Sequence, residues 1–292
     1  MKKKKYAVFT IDVETFSDTE CISAAGLQVD ADLMDGLDEY LKILDRYGIK
    51  GTLFTVADRA AAFAEQLQPH VARGHKLAMH SDTHIAPLCV PIEQFRENIR
   101  RAKRQMEEQF GVQVQGFRAP CFSMDEARLE VLQGLGFCYD SSHLDYSPAR
   151  HTVRMKLSDY HRLRENIFRK NGFYEFGLSK ERVFGKPFPI SGGGYVRLSN
   201  WGFIKALITH YIRRHDYYVF YLHPVELTRR KIPFFKELKN YDKYYIKQGI
   251  RHYNRRVERI IQMLLKNGYE FVTFEKLTQI MEAESLPVTT IS

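Results

Sequence analysis

The chain has 292 residues, of which 44% are hydrophobic and 27% are charged, and this composition is ordinary for a globular protein. It excludes a disordered tail protein, a collagen-like chain and a small disulfide-rich scaffold. Lysine and arginine (44) outnumber aspartate and glutamate (35), so the formal net charge is +9 at pH 7, which favours an anionic partner.

Short apolar runs alternate with helical patterns in the first half of the chain, which is typical of βα units around a parallel sheet. Strands are predicted at Tyr6–Ile11, Thr52–Val56, Lys76–Met79, Val114–Phe117 and Phe137–Tyr139. Helices are predicted at Leu33–Tyr47, Asp58–Arg73, Ile92–Phe110 and from Asp125 to Leu135.

The second half begins with a polar, basic stretch at about residues 145–190, which we interpret as an irregular insertion. Within it, short strands are predicted at Phe173–Phe176 and Phe188–Ile190. The elements predicted after it are a helix at Asn200–Arg214, a strand at Tyr217–Leu222, a long helix at Lys239–Lys266, a strand at Phe271–Phe274 and a helix at Glu275–Glu284. About seven strand–helix pairs fit a barrel better than an open sheet, so we expect one α/β domain over residues 1–292.

Neither a membrane span nor a secretory signal is apparent. No run of about 18 apolar residues occurs, and the lysines after Met1 are not followed by the apolar segment and cleavage site of a signal peptide. The four cysteines form no CxxC pair, so neither a zinc ribbon nor a disulfide framework is encoded. We therefore expect a cytoplasmic protein.

Acidic and histidine side chains follow the first and third predicted strands, where barrel enzymes build their active sites. Asp12 and Glu14 point to the same side of an extended segment, and two adjacent carboxylates repel unless a cation lies between them or one is protonated. His80 and His84 have a spacing that lets both imidazoles reach one metal ion. In the alternative interpretation, the two acids are a helix cap and a solvated side chain, and the two histidines lie on the surface of a helix.

Three more predicted strands end in polar residues. Arg118 precedes a proline-stiffened turn and can hold a carboxylate bidentately, although a structural ion pair fits equally well. Asp140 ends the fifth strand, and His223 follows the apolar strand at Tyr217–Leu222. A lone histidine there is more often a packed, hydrogen-bonded residue, but polar residues at five strand ends predict one site at one face of the barrel.

Four motifs occur in this order: Thr10-Ile11-Asp12-Val13-Glu14, His80-Ser81-Asp82-Thr83-His84, Arg118-Ala119-Pro120-Cys121-Phe122 and Leu222-His223-Pro224. The ordered set resembles the polysaccharide deacetylase family, of the NodB-homology or carbohydrate esterase family-four type. The segments Tyr139-Asp140-Ser141-Ser142 and Gly192-Gly193-Gly194-Tyr195-Val196-Arg197-Leu198 resemble the subgroup associated with exopolysaccharide and lipid-linked sugar synthesis. The resemblance implies a distorted (β/α)7 barrel that holds a divalent metal, usually zinc.

The resemblance also implies roles for individual residues. Asp12 would be the general base, Arg118 would orient it, and His223 would be the general acid. The expected metal ligands are Glu14, His80 and His84. The residues expected to contact substrate are Cys121, whose amide N–H would face the oxyanion, Phe122, Tyr195 and Arg197. For tuning His223, the nearest carboxylate that the sequence offers is Asp140, which we count as a fourth catalytic candidate.

Positive charge is concentrated near the C-terminus. Residues 229–259 carry eleven lysines and arginines against Glu237, Asp242 and Glu258. Lys243, Lys247, Arg251, Arg255 and Arg259 recur every four residues, which predicts one face of the long helix. That basic helical region, about residues 229–266, is expected to contact anionic headgroups or to be a solvated face; nucleic acid is not expected, because no binding motif accompanies the charge.

The leading hypothesis is a metal-dependent hydrolase that removes an N-acetyl group from an amino sugar in a cell-surface polysaccharide or glycolipid pathway. Its substrate would be linked to a nucleotide or to polyprenyl phosphate, at the inner face of the membrane. The alternatives are a deformylase of a lipid-linked amino sugar, or a catalytically inactive barrel that binds carbohydrate or anionic headgroups. The sequence leaves the oligomeric state open.

Overall fold

A curled, mostly parallel β-sheet forms the centre of the protein, in a computed structural model that describes residues 3–27, 29, 32–144 and 155–285. The strands are β1 (Lys5–Val13), β2 (Thr52–Thr55), β3 (Lys76–Met79), β4 (Gly116–Phe117), β5 (Tyr139–Asp140), β6 (His161–Arg164), β7 (Ile167–Lys170), β8 (Phe173–Phe176), β9 (Lys180–Val183), β10 (Lys186–Pro189), β11 (Tyr217–Leu222) and β12 (Tyr269–Phe271). The main sheet has the order β11-β1-β2-β3-β4-β5-β8-β7-β6, and β12 also pairs with β1. The seven strands from β11 to β8 run parallel to their neighbours.

Helices cover this sheet. They are α1 (Glu20–Ala24), α2 (Asp35–Arg46), α3 (Ala57–Ala60), α4 (Ala64–Ala72), α5 (Ile92–Phe110), α6 (Glu126–Gly134), α7 (Gly193–Leu198), α8 (Trp201–Arg214), α9 (Asn240–Lys247), α10 (Tyr253–Lys266) and α11 (Phe274–Ser285). α5 shows why they form, because its buried residues recur three or four positions apart and it ends at Gly111 in the left-handed conformation, with φ of 65°. Across the described residues, no helix is long and apolar enough to cross a bilayer.

The segment after β10 bridges the two ends of the parallel run of the curled sheet. The Ile190 N–H donates to the Ser179 carbonyl at 3.1 Å, and the Tyr221 N–H donates to the Ser191 carbonyl at 2.8 Å. Ser179 lies just beyond β8 and Tyr221 lies in β11. This segment therefore connects the two ends of the parallel run. The distorted α/β barrel predicted from the sequence is confirmed.

Alternation along β1 decides which side chains face the interior. Tyr6 and Val8 pack in an inner cluster that α11 also joins, whereas Ala7 and Phe9 pack outward among the surrounding helices. Because successive side chains of a strand point to opposite faces, Asp12 lies on the inner side with Val8. The register of β1 with β11 pairs Ile11 with Leu222 and therefore brings the carboxyl ends of both strands together.

The insertion is more regular than the sequence predicted. β6 and β7 form an antiparallel hairpin that joins β8 in the main sheet, and β9 and β10 form a separate hairpin. The prediction of irregular structure is therefore wrong for residues 161–189, because local hairpin pairing dominates over the polar composition. Residues 155–160 form no helix or strand, as expected, and residues 145–154 lie outside the described residues. Strands from both sides of the insertion share one sheet, and the single domain stays a prediction.

Two predicted helices are interrupted. The Asp58–Arg73 helix divides into α3 and α4. The prediction of one continuous helix at Lys239–Lys266 is wrong, because α9 ends at Lys247 and a 3-10 turn at Ile250–His252 precedes α10. Gly249 causes the break with a left-handed φ of 82°, a conformation that glycine adopts without steric cost.

Candidate active site

The end of β1 places a buried carboxylate against a buried guanidinium. Arg118 Nη1 donates to Asp12 Oδ1 at 2.7 Å and to Thr10 Oγ1 at 2.8 Å. The Arg118 and Asp12 side chains are only 0% and 2% exposed. Removing either partner of a pair this buried would leave an uncompensated charge, at a cost of about 3–5 kcal/mol.

Arg118 is held from several sides, so the position of Asp12 is fixed as well. Its Nε donates to the Ser141 carbonyl at 3.1 Å and its Nη2 donates to Ser141 Oγ at 3.0 Å. Its guanidinium carbon lies 4.1 Å from the centre of the Phe54 ring. The structure thus brings Arg118 and Asp12 together as the sequence predicted.

Glu14, His80 and His84 converge beside this pair. Glu14 Oε2 lies 2.7 Å from His84 Nε2 and 3.6 Å from His80 Nε2. One ligand atom of each of the three side chains lies within 4.8 Å of the others. His80 Nδ1 is 2.8 Å from the Arg118 carbonyl oxygen, and a hydrogen bond there turns Nε2 towards Glu14.

The protonation of this cluster follows from burial and charge. Burial alone would raise the pKa of Glu14, but the charges of His84 and His223 and hydrogen bonds from His80 and His84 lower that pKa well below its usual value. Burial alone would lower the pKa of His84, whereas the Glu14 carboxylate raises it. Glu14 therefore remains an anion, ready to pair with a cation.

His223 faces both carboxylates across the site. Its Nε2 lies 3.9 Å from Asp12 Oδ2 and 3.8 Å from Glu14 Oε1, and its Nδ1 lies 3.3 Å from Glu226 Oε2. Arg197 Nε in turn donates to Glu226 Oε1 at 2.8 Å. Burial opposes the charge of His223, but Glu14, Glu226 and Asp12 outweigh it and raise the pKa of His223 to about 9.

Two sequence predictions need correction here. Glu226, and not Asp140, is the carboxylate at His223 Nδ1. Arg197, expected to contact substrate, is instead buried at 3% exposure with its charge paired to Glu226; this prediction is wrong because the guanidinium faces inward. Sequence reasoning missed Glu226, although a glutamate three residues after His223, where a short turn begins, is the spacing of a capping box.

Asp140 lies in a different buried network. Its Oδ2 accepts from the Ser142 N–H at 2.8 Å and its Oδ1 accepts from Ser142 Oγ at 2.9 Å. Glu175 Oε1 accepts from the same Ser142 N–H at 3.1 Å, and Ser142 Oγ accepts from the Ala119 N–H at 2.9 Å. Asp140 is therefore a positioning residue for the chain that carries Arg118, and the prediction that it is catalytic is wrong.

The remaining predicted substrate residues occupy the rim. Cys121 and Phe122 follow the Arg118 motif, and both have a left-handed φ of 54°, which is uncommon for side chains of this size. The Phe122 ring packs edge-on against Tyr221 at 5.3 Å. Tyr195 is 42% exposed and contacts the Phe188 ring at 6.0 Å. Contact of Cys121, Phe122 and Tyr195 with substrate stays a prediction.

A second cluster, Asp45, His70 and His75, also has converging ligand atoms, but its hydrogen bonds do not suit a metal. His75 Nδ1 accepts from the Gly51 N–H at 3.1 Å, so the proton of the neutral ring lies on Nε2, which faces Asp45. Burial lowers the pKa of His75 to about 4 and keeps it neutral. This cluster is structural.

Comparison with known proteins agrees with these features. Residues 18–139 match the family model of polysaccharide deacetylases, and residues 146–279 match a domain of unknown function, DUF3473. A peptidoglycan deacetylase-like protein of Gibberella zeae is 30% identical over 109 residues, which is 37% of this chain and 32% of that protein. The chain thus spans only about a third of the length of this curated relative.

Two solved structures share the fold. One is a polysaccharide deacetylase of Mycobacterium smegmatis described as putative, with 18% identity, a TM-score of 0.59 and coverage of 100% of this chain and 96% of that one. The other is a carbohydrate esterase family-four pseudoenzyme of Bacillus anthracis, with 11% identity, a TM-score of 0.54 and coverage of 95% and 66%. The family model thus identifies residues 18–139 as a polysaccharide deacetylase domain, which agrees with the barrel and with the motifs assembled at its rim.

Proposed function

We propose that the protein is a metal-dependent hydrolase that removes the N-acetyl group of an amino sugar. Members of the polysaccharide deacetylase family are hydrolases that act on amide bonds. The observation that carries the proposal is the convergence of Glu14, His80 and His84 within 4.8 Å, with Asp12 and His223 3.9 Å apart beside them. A purely structural cluster would not need a second carboxylate and a charged histidine around the same point.

The donor set of the proposed metal site fits a divalent cation. Two imidazole Nε2 atoms and one carboxylate are a common set of ligands for zinc in hydrolytic enzymes, where other positions stay open. The His80 ring is already oriented by the Arg118 carbonyl, as metal-binding histidines usually are. When bound, such a cation supplies Lewis-acid chemistry, because it polarises a carbonyl group and makes water more acidic.

The other side chains of the site account for the proton transfers. Asp12 Oδ2 is the oxygen not held by Arg118, and it faces His223 Nε2 at 3.9 Å. That free oxygen is the atom that takes a proton from an attacking water. His223 Nε2 is placed to donate a proton to the departing amine, and Glu226 at Nδ1 favours the charged ring by raising the pKa of His223. Glu226 maintains this charge from the opposite ring nitrogen.

The substrate that we propose is more specific than the amide hydrolysis shared by the family as a whole. We take the acyl group as acetyl, the sugar as a unit of a cell-surface polysaccharide or glycolipid, and its carrier as a nucleotide or polyprenyl phosphate. The basic surface after His223 supports an anionic carrier. Release of formate instead of acetate would assign the deformylase alternative.

A metal and product assay tests the proposal. His84→Ala should lose stoichiometric zinc and acetate release from a panel of acetylated amino sugars, while the exposed His161→Ala control keeps both. Full zinc content in His84→Ala would refute the ligand assignment. Zinc binding without acetate or formate release from any sugar would instead support the inactive, carbohydrate-binding alternative.

Peripheral membrane contact is a second part of the proposal. Phe234, Tyr241 and Tyr244 are 62%, 71% and 52% exposed, and Lys247 Nζ lies 4.8 Å above the Phe234 ring. Aromatic rings next to basic side chains are typical of surfaces that bind anionic lipid. Co-sedimentation with phosphatidylglycerol vesicles should fall for Phe234→Ala; equal sedimentation of wild type and variant would refute this contact.

A further inference from the structure

A cavity of about 530 Å³ opens between the segment that follows Glu226 and the break between α9 and α10. Its charged lining residues are five basic ones and one acidic one: Arg229, Arg230, Lys231, Lys247, Arg251 and Glu39. The volume lies in the range of about 300–1,000 Å³ that is typical of small-ligand sites. The cavity therefore has room for a ligand of several chemical groups, and the positive charge of its lining strongly favours anions.

Neighbouring carboxylates neutralise only part of this charge. Arg229 forms an ion pair with Glu39, and Arg230 Nη1 lies 3.4 Å from Asp32 Oδ1. Lys231, Lys247 and Arg251 make no ion pair with any carboxylate in the described part of the chain. Like charges brought together in this way repel, and a bound anion relieves that repulsion.

The first wall of the cavity is rigid, because the start of α2 holds it. Asp35 accepts from Thr228 Oγ1 at 2.6 Å and from the Arg229 N–H at 2.8 Å. At Gly36 the helix approaches so closely that an added Cβ would lie 1.8 Å from the Pro224 carbonyl oxygen. The turn bearing Arg229, Arg230 and Lys231 is therefore fixed before any ligand arrives.

The second wall is held by the same arginine that supports the active site. Arg197 donates from Nη1 to the Gln248 carbonyl, next to Lys247, while its Nε binds Glu226. Arg256 Nη1 donates to the carbonyls of Arg197 at 3.0 Å and Ser199 at 2.8 Å. The cavity is thus preorganised, which lowers the entropic cost of binding.

We propose that this cavity binds the phosphate or diphosphate group of the substrate's carrier, which places the attached sugar towards His223. Leu227 lines the cavity and directly follows Glu226, so the two sites share one stretch of chain. Guanidinium groups match phosphate oxygens in bidentate geometry, and an excess of four positive charges in the lining suits a diphosphate better than one carboxylate. That the ligand belongs to a substrate rests on the proposed function; the anion site itself does not.

Calorimetric titration of the purified full chain with inorganic pyrophosphate tests the site. Arg251→Gln should weaken pyrophosphate binding about tenfold, the effect of losing one charge-assisted hydrogen bond. Arg255→Gln is the matched control, because it removes the same charge one helical turn away, from a residue that does not line the cavity. Circular dichroism verifies that both variants are folded.

The inference is overturned if pyrophosphate does not bind, if Arg251→Gln and Arg255→Gln weaken binding equally, or if sulfate competes as well as pyrophosphate. Tighter binding of uridine diphosphate than of pyrophosphate assigns a nucleotide carrier; binding to phosphatidylcholine vesicles that contain farnesyl diphosphate, lost in Arg251→Gln, assigns a lipid carrier. The titration is independent of turnover. Absence of acetate release with intact pyrophosphate binding would therefore refute the proposed function and leave the anion site standing.

Discussion

The buried carboxyl pair of Asp140 and Glu175 should make the stability of the protein depend on pH. Burial raises the pKa of Asp140 from 3.8 to about 6 and raises the pKa of Glu175 well above its usual value. A raised carboxyl pKa means that the fold prefers the protonated form, so the contribution of Asp140 to stability is complete below pH 3.8 and is lost as the pH rises from there through about 6. For Asp140 the rise is about two pKa units, and at about 1.4 kcal/mol per unit the loss is about 3 kcal/mol.

Glu175→Gln should remove the part of the pH-dependent loss that comes from Glu175 itself. The amide oxygen still accepts from the Ser142 and His143 N–H groups, which Glu175 Oε1 now binds at 3.1 and 2.8 Å. The amide nitrogen adds a donor for Asp140, whose carboxylate no longer faces a second acid. The variant therefore lacks the carboxyl group whose pKa burial and Asp140 raise, while burial still raises the pKa of Asp140.

Urea unfolding at about pH 5 and about pH 8 measures the effect. Wild type loses about 1.4 kcal/mol per pH unit while Glu175 stays protonated in the fold but is ionised in the unfolded chain, so Glu175→Gln should gain at least about 1 kcal/mol of unfolding free energy relative to wild type between the two pH values. The difference between variant and wild type cancels the histidines and other groups that titrate in both. The exposed Glu130→Gln is the control and should follow wild type. A difference that does not change with pH would refute the coupling of Asp140 to Glu175.

The remaining predictions concern the catalytic groups and one glycine. Asp12→Asn should retain zinc but lose at least about 10²-fold in turnover; near-normal turnover would make this carboxylate structural. Glu226→Gln should lower the pKa of His223, so the general acid is lost at lower pH and the alkaline limb of the pH–rate profile moves to lower pH; an unmoved limb contradicts this. Gly249→Ala, whose Cβ would lie 2.6 Å from a carbonyl oxygen, should cost about 1–3 kcal/mol in urea unfolding, whereas Gly134→Ala, with nothing within 4 Å, should be neutral or stabilising.

The part of the site that could be predicted from sequence is the part set by parallel strands. Asp12 lies at the carboxyl end of β1, and His80, Arg118 and His223 directly follow β3, β4 and β11. The carboxyl ends of these strands meet at one rim, so sequence order alone brings the four residues together. The ladder of β1 with β11 then aligns the first and last of these residues. No knowledge of distant loops is needed for that result.

Partners across the barrel could not be predicted in the same way. Asp140 and Glu226 are both acids close in sequence to a strand end, and a sequence does not tell which of them faces a given histidine. Here the short turn after β11 returns Glu226 to His223 Nδ1, while the pairing of β5 with β8 directs Asp140 to Glu175. Local turn geometry and strand order, which are both tertiary facts, decide between them.

The basic C-terminal segment shows how one backbone angle changes a functional interpretation. A four-residue period in lysines and arginines predicts a charged stripe only if the helix is continuous. The left-handed turn at Gly249 interrupts it, so Lys247 and Arg251 face the cavity together with the turn after Glu226, while Arg255, one period on, does not line it. Not all of the charges that share the period therefore share one surface. Because of the break, Lys247 and Arg251 line one cavity and do not continue a charged helix face. Comparing pyrophosphate binding by Arg251→Gln and Arg255→Gln measures this difference.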